Sequence, residues 1–155
     1  MVEFTHIHND RAGMVDISGK GDVAREATAS GKIYLRPETL DAIRNGTVVK
    51  GNVLATARVA ATLSVKNTSA LIPMCHPIPI SAISVDFSDG EGYIEAIVVV
   101  KTTGKTGVEM EALTGVSVAL LTVWDMVKSA EKDSDGQYPV TRIEDIRVVE
   151  KKKGK

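Results

Sequence analysis

A carboxylate and an amine near the end of the sequence have the spacing of a chemically useful pair. Asp125 and Lys128 are three residues apart, so on a helix both side chains lie on one side. Their neighbours are almost all apolar, and we therefore expect partial burial. Burial would lower the pKa of the lysine and raise that of the aspartate, whereas mutual attraction opposes both shifts. A lysine held this way can transfer protons near neutral pH, although an exposed ion pair explains the spacing equally well.

A second candidate lies between two prolines, where Cys75 and His76 are neighbours. His76 could donate a hydrogen bond or act as a general acid or base, because the pKa of a histidine is close to neutrality. A packed loop with a small buried thiol explains the same residues and is favoured by the spacing alone. Zinc would need more ligands, and His6 and His8 are the only other histidines, so a zinc site is weakly supported. A single cysteine also excludes an intrachain disulfide.

Two further groups of residues could bind phosphate. Residues 104–106 read GKT and precede the longest predicted helix, but Val99 stands where a Walker motif needs glycine, so we reject a phosphate-binding loop of that type. An ordinary helix start, with acids in the first turn, fits this segment better. Lys50 precedes another helix, which carries Arg58 and Lys66. Together these three cations could bind a polyphosphate, although each alone is more simply a solvated charge.

The composition limits the classes of function. The chain has 155 residues, 43% of them hydrophobic and 25% charged, as in an ordinary single soluble domain. A formal net charge of −1 excludes the strongly basic footprint of a general nucleic-acid binder. No apolar run approaches the roughly 20 residues that cross a bilayer, and the first residues lack the pattern of a signal peptide. We therefore expect a cytoplasmic protein with no nucleic-acid or membrane partner.

The elements in the first half of the chain follow from caps and apolar periodicity. Residues 1–13 have no clear period and are expected to form an N-terminal arm, followed by a short strand at 14–18 and a strand at 27–35. Pro37 at its first turn and the Asn-Gly pair at its end predict a short helix. Asn52 is a suitable N-cap for a second helix, which should end near residue 66.

The second half of the chain has the clearest pattern. Strict alternation predicts a hairpin with arms at 80–87 and 94–100. The helix that follows, at about 108–131, is apolar on most sides and should be buried by its own subunit and by a neighbour. A last strand is expected at 140–149, and residues 150–155 should form a solvated, flexible tail.

The order of these elements is strand, helices, strand, strand, helix, strand. It predicts an α+β fold, namely a ferredoxin-like split βαβ sandwich with an N-terminal extension, made by a single catalytic domain over residues 1–155. This fold supports many functions and therefore selects none.

Five blocks of the sequence occur in the order of those in one known family. They are MVDIS at 14–18, KGNVLATAR at 50–58, LIPMCHP at 71–77, TGKTGVEMEALT at 103–114 and LTVWDMVK at 121–128. The chain resembles, over nearly its whole length, the molybdenum cofactor biosynthesis protein C family, the cyclic pyranopterin monophosphate synthases. Trp124, Met74 and Ile78 differ from residues common in the family. These are volume-tolerant apolar changes, which affect the fine shape of a pocket and not the reaction.

The resemblance implies a lyase reaction and a set of site residues. The family rearranges 3′,8-cyclo-7,8-dihydro-GTP, supplied by a radical S-adenosylmethionine enzyme, to cyclic pyranopterin monophosphate and releases pyrophosphate. It implies that Asp125 is the catalytic acid residue, beside the active-site lysines Lys50 and Lys128. The substrate-binding candidates are Met74, Cys75, His76, Glu109, Met110 and Glu111, with Arg25, Arg58 and Lys66 as weaker candidates for the triphosphate. We expect no resident cofactor and assign no metal ligand, although a divalent ion could accompany the triphosphate.

The expected site is too long for one chain. Glu111 suits the donor edge of a guanine-like base. It lies about 21 Å from Asp125 along a straight helix. The family is usually a hexamer built as a trimer of dimers, and we expect a homo-oligomer whose sites lie between subunits. In one version of this hypothesis Lys50 and Asp125 come from different chains. The alternatives are a non-catalytic nucleotide-binding or regulatory module and a structural oligomer whose polar residues only set subunit register.

Overall fold

A computed structural model describes residues 1–4, 7–8 and 10–154. The strands in these residues are β1 (Ile7–His8), β2 (Arg11–Ala12), β3 (Val23–Tyr34), β4 (Ile80–Gly90), β5 (Tyr93–Gly104) and β6 (Arg142–Lys153). The helices are α1 (Pro37–Asn45), α2 (Val53–Lys66), α3 (Thr68–Leu71) and α4 (Glu109–Glu131). The predicted order of the main elements is confirmed. His6, considered above as a metal ligand, lies outside the described residues.

The main sheet has four antiparallel strands in the order β4-β5-β3-β6, and β1 pairs with β2 in a separate small hairpin. Alternate residues of β3 and β5 point to one face of the sheet and are almost fully buried, as the period of a strand requires. They are Ala27, Ala29, Ile33, Ile94, Ala96, Val98 and Val100. Two long helices cover this face, so the fold is α+β with a core that is mainly aliphatic.

Small residues bring α2 close to α4. Ala57 and Ala61 on α2 are fully buried. On α4, a Cβ added to Gly115 would lie 2.8 Å from Cγ2 of Val65 and 3.1 Å from Cγ1 of Val98, which is closer than packed side chains allow. The small residues of α2 and Gly115 of α4 therefore let the two helices pack closely.

Two predictions near the chain ends were wrong. Residues 14–18 form no strand. The lysines at 151–153 were expected in a flexible tail, but they complete β6, where Lys153 pairs with Arg25 and Lys151 with Ala27 of β3. Backbone pairing with β3 from Arg25 to Tyr34 explains this result, because exposed strand residues need no apolar side chains.

Helix α4 is the most apolar element among the described residues. By length and composition it is the one helix there that could span a membrane, and half of its apolar window is buried inside the domain. Its predicted burial is confirmed on one side, where Val116, Leu120 and Val123 are fully buried. Its other side is open in the single chain, with Leu121 57% and Met110 41% exposed. The core packing accounts for its apolar composition.

The N-cap predicted for α2 can be tested by substitution. The side chain of Asn52 accepts a hydrogen bond from the backbone N–H of Ala55 at 2.9 Å, as predicted for an N-cap. We expect Asn52→Ala to lower the free energy of unfolding by about 1 kcal/mol, because a helix N–H loses its acceptor. Asn52→Asp keeps that acceptor and should stay near the parent value. Urea denaturation measures both, and equal stability of the alanine variant would contradict the assignment.

Candidate active site

Three charged side chains meet at the C-terminal half of α4. The ammonium of Lys50 donates to the backbone carbonyl of Asp125 at 2.9 Å and lies 3.4 Å from its Oδ2. The ammonium of Lys128 donates to Oδ1 of the same carboxylate at 2.8 Å. We call Lys50, Asp125 and Lys128 the lysine–aspartate group. One carboxylate thus holds two cations on one face, an arrangement suited to an anionic ligand.

The chain around Lys50 is shaped by two glycines. Helix α1 ends at Gly46, whose φ of 67° is left-handed, and α2 begins just after Gly51, whose φ is 109°. Residues other than glycine rarely adopt such φ angles. The turn between the helices is also closed by a hydrogen bond from the Gly51 N–H to the Val48 carbonyl. This tight connection directs Lys50 back onto α4.

The lysine–aspartate group is more exposed than the sequence predicted. In the single chain the side chain of Asp125 is 61% exposed and that of Lys128 45%, so the expected partial burial was wrong for this carboxylate. The hydrogen bond and charge of Lys128, with a smaller contribution from Lys50, lower the pKa of Asp125. The same contact with Asp125 raises the pKa of Lys128. Attraction therefore dominates over desolvation at Lys128, and the lowering of its pKa that burial would cause is not found.

A pocket lies at the other end of α4, beside its N-terminus. It has a volume of about 270 Å³ and collects most of the predicted substrate-binding residues. Its lining includes Met74, Cys75, His76, Glu109 and Met110. We call this cavity the N-terminal pocket. Residues 72–75 form a turn here, closed by a hydrogen bond from the Cys75 N–H to the Ile72 carbonyl at 3.1 Å.

Glu111 stands behind the N-terminal pocket and is 3% exposed. Its Oε1 accepts a weak hydrogen bond from the thiol of Cys75 at 3.6 Å. Its Oε2 is buried and accepts no hydrogen bond from any described residue. Burial raises the pKa of Glu111, and the carboxylate of Glu109 adds to the effect. A buried acceptor without a donor is costly, so this oxygen is suited to an N–H donor from a ligand.

The thiol of Cys75 should be unusually unreactive. Burial, together with the charge and hydrogen bond of Glu111, raises the pKa of Cys75 to about 11. Because the thiolate is the nucleophile, we expect alkylation by iodoacetamide at pH 7 to be at least about 100-fold slower than for free cysteine. Glu111→Gln removes the negative charge, lowers the pKa of Cys75 and should speed alkylation. Cys75 is the only cysteine, so the labelling rate reports this site alone.

The exposed Glu91→Gln variant is the matched control for that experiment, because Glu91 lies in the turn between β4 and β5. It should leave the alkylation rate unchanged. Parent protein that reacts as fast as free cysteine would contradict the buried Cys75–Glu111 contact.

Arg25 fixes the loop before α4. Its Nε donates to the carbonyl of Gly104 at 3.1 Å and its Nη2 to that of Lys105 at 3.3 Å. Burial acts to raise the pKa of Glu109, but the Lys151 ammonium and the charge of Arg25 outweigh it, and the pKa of Glu109 is lowered. Arg25 therefore lies near the N-terminal pocket, with much of its hydrogen-bonding capacity used by the backbone.

Two of the weaker candidates join neither group. Arg58 donates to the carbonyl of Val85 at 2.9 Å and lies 5.8 Å from the ring of Phe87, so it packs against β4. Lys66 is exposed in the last turn of α2. Within residues 10–154 no hydrogen bond or ion pair joins either cation to the lysine–aspartate group.

Asp16 is a charged neighbour of this region that our residue-by-residue reasoning did not select. The backbone hydrogen bond from Ser18, at 2.8 Å, is the main cause of the lowered pKa of Asp16, and the charge of His76 adds to it. The only sequence signal was the block at 14–18. An electrostatic interaction between residues some 60 positions apart has no local pattern from which to predict it.

The two groups are separated along α4. Glu111 is in its first turn and Asp125 fourteen residues later, about 21 Å along the axis. Lys50 and Asp125 contact each other within one chain, so the version of the shared-site hypothesis that divided these two residues between chains was wrong. What one chain presents is two half-sites: the lysine–aspartate group and the N-terminal pocket with Glu111.

An α+β domain with these two polar groups fits either an enzyme or a nucleotide-binding module. Comparison with known proteins narrows this class. Residues 14–154 match the MoaC family, and the chain belongs to that family.

Relatives cover almost the whole chain. A protein of Methanoregula boonei is 77% identical over 154 residues, 99% of both chains, and one of Methanosphaerula palustris is 69% identical over 99% of this chain and 100% of its own. A protein of Thermococcus kodakarensis is 56% identical over 99% of both. Each is named probable cyclic pyranopterin monophosphate synthase.

Proposed function

We propose that this chain is a cyclic pyranopterin monophosphate synthase of molybdenum cofactor biosynthesis. It converts 3′,8-cyclo-7,8-dihydro-GTP to cyclic pyranopterin monophosphate and releases pyrophosphate. The observation that carries the proposal is the contact of Lys50 and Lys128 with one carboxylate, that of Asp125, in a member of the MoaC family. Two cations on one face would also suit a module that only binds a nucleotide, and membership of the MoaC family favours the enzyme.

The lysine–aspartate group suits the phosphate end of the substrate. Closing the cyclic phosphate expels pyrophosphate, and fixed cations stabilise the negative charge that develops on such a leaving group. Because contact with Asp125 raises the pKa of Lys128, this lysine enters the reaction protonated and serves as a proton donor. Asp125 holds both ammonium groups close together, so that both face the phosphate end of the substrate.

The N-terminal pocket suits the base end. The free Oε2 of Glu111 accepts a hydrogen bond from an N–H of the guanine-derived ring, and the neutral thiol of Cys75 supports the same carboxylate. His76 lines the pocket and is available for proton transfer during ring opening and closure. Arg25, near Glu109, and the more distant Arg58 and Lys66 remain secondary candidates for the triphosphate.

The fold and assembly complete the proposal. The strand order β4-β5-β3-β6 supports a ferredoxin-like split βαβ sandwich. The protein forms a homo-oligomer, a hexamer built as a trimer of dimers, in which the lysine–aspartate group of one copy faces the N-terminal pocket of another. The open side of α4, with Leu121 and Met110 exposed, supports contact with a second copy, as does the separation of the half-sites. The enzyme acts in the cytoplasm on a substrate made by a radical S-adenosylmethionine enzyme.

Incubation with 3′,8-cyclo-7,8-dihydro-GTP tests the function. We expect one pyrophosphate for each cyclic pyranopterin monophosphate formed, measured by coupled phosphate assay and mass spectrometry. Tight binding of the substrate without release of pyrophosphate would contradict the proposal and favour a nucleotide-binding module.

A further inference from the structure

A buried carboxylate at the last residue of α4 takes no part in either half-site. Glu131 is fully buried. Its two oxygens accept hydrogen bonds from the backbone N–H of Arg36, at 3.1 and 3.2 Å, and from the hydroxyls of Thr39 and Thr141. Glu131 therefore joins three segments: the end of α4, the start of α1 and the residues before β6. Placing a charge in the interior is costly unless it is well paired, so these contacts need an explanation.

The contacts of Glu131 with α1 lie at the N-terminus of that helix. Arg36 occupies the N-cap position of α1, and its own side chain makes no capping hydrogen bond. The carboxylate of Glu131 instead accepts from the backbone N–H of Arg36 itself and from the Thr39 hydroxyl, and its negative charge suits the positive end of the α1 dipole. The start of α1 is thus fixed to the end of α4.

The opposite end of α1 leads to the lysine–aspartate group. After Gly46 the chain runs through Val48, which packs against the core, to Lys50. Lys50 then contacts Asp125, six residues before Glu131. The connection that leaves α4 at Glu131 and runs through α1 to Lys50 therefore returns to α4 at Asp125. These two positions are about 9 Å apart along the axis of α4. In such a closed path, the position of the ammonium depends on the joint at Glu131.

Packing alone does not fill this closed path. A cavity of about 170 Å³ lies between α1, the residues before α2 and α4, and its lining includes Ala42, Val48, Met126 and Lys50 itself. Space of this kind lets neighbouring elements shift. The directional hydrogen bonds of Glu131 then fix the start of α1, while core packing of Leu40 and the Arg44–Asp89 ion pair are among its other contacts.

We infer that Glu131 is a positioning residue, which acts through α1 to hold Lys50 against Asp125. It touches no reacting atom. The inference rests on the proposed function only where activity is measured, because the contact between Lys50 and Asp125 can be followed without substrate.

Glu131→Ala tests the inference with two readouts. We expect kcat to fall about tenfold through misplacement of Lys50. We also expect the pKa of the Asp125 carboxyl, followed by carbon NMR, to rise towards its usual value as one cation moves away. Glu131→Gln should rescue both properties, because the amide oxygen still accepts from the Arg36 N–H and the threonine hydroxyls can reverse to accept from its NH₂.

Val98→Ala is the control for loss of stability alone. Val98 is fully buried on β5, and its truncation creates a cavity without touching α1. It should lower the melting temperature but leave kcat and the Asp125 titration unchanged. If Glu131→Ala is too unstable to study, Thr39→Val removes one donor and should show the same changes more weakly.

Parent-like kcat and Asp125 titration in folded Glu131→Ala, or in Thr39→Val, would overturn the inference. A parent protein that forms no product would instead contradict the proposed function. The titration of Asp125 would still decide whether Glu131 positions Lys50.

Discussion

Replacing Lys50 with alanine is expected to lower the rate of pyrophosphate release by about 100- to 10,000-fold, the range that a positioned proton donor or cation contributes. The loss should be in kcat, because the contact of Lys50 is with the Asp125 group and not with the N-terminal pocket. The same substitution should raise the pKa of Asp125, since the charge of Lys50 helps to lower that pKa. The melting temperature should change little, because the side chain is half-exposed.

Lys132→Ala is the matched control, since Lys132 is an exposed lysine directly after α4. It should retain parent activity. Lys50→Ala with a rate within about threefold of the parent would remove Lys50 from the catalytic machinery and favour the reading of the lysine–aspartate group as a surface ion pair.

Local signals in the sequence were enough for much of the fold. Asn52 caps α2, Gly46 ends α1, and the alternating residues of β5 are buried because each of these features is decided by nearby residues. The strand pairing of the lysines at 151–153 was missed because it depends on β3, more than a hundred residues earlier. Pairing of the backbone outweighed a composition typical of a solvated tail.

In the candidate site, too, features decided by nearby residues were predicted and those decided by distant residues were missed. The helical spacing of Asp125 and Lys128 predicted their contact, but their exposure depends on what covers α4, which spacing does not reveal. The contact of Lys50 with Asp125 spans 75 residues and had no signal apart from the family resemblance. Glu131 was not selected from the sequence, because its burial depends on contacts with Arg36, 95 residues earlier, and with Thr141.

The central claim is that each complete site combines the lysine–aspartate group of one copy with the N-terminal pocket of another. Lys50→Ala and Glu111→Ala disable different half-sites, and each alone should be nearly inactive. In randomly mixed assemblies, half of the lysine–aspartate groups and half of the pockets are intact. About a quarter of the sites then have both halves intact.

A mixture of Lys50→Ala with Asp125→Ala is the negative control. These residues contact each other in one chain, so mixing never creates an intact lysine–aspartate group and no activity should return. Separate unfolding of each variant before mixing, followed by joint refolding, ensures that subunits exchange.

The most direct measurement is pyrophosphate release from 3′,8-cyclo-7,8-dihydro-GTP by refolded mixtures of Lys50→Ala and Glu111→Ala. We predict recovery to about a quarter of the parent rate, with none in the Lys50→Ala and Asp125→Ala mixture. No recovery in the first mixture, from variants that assemble normally, would contradict a site shared between two copies.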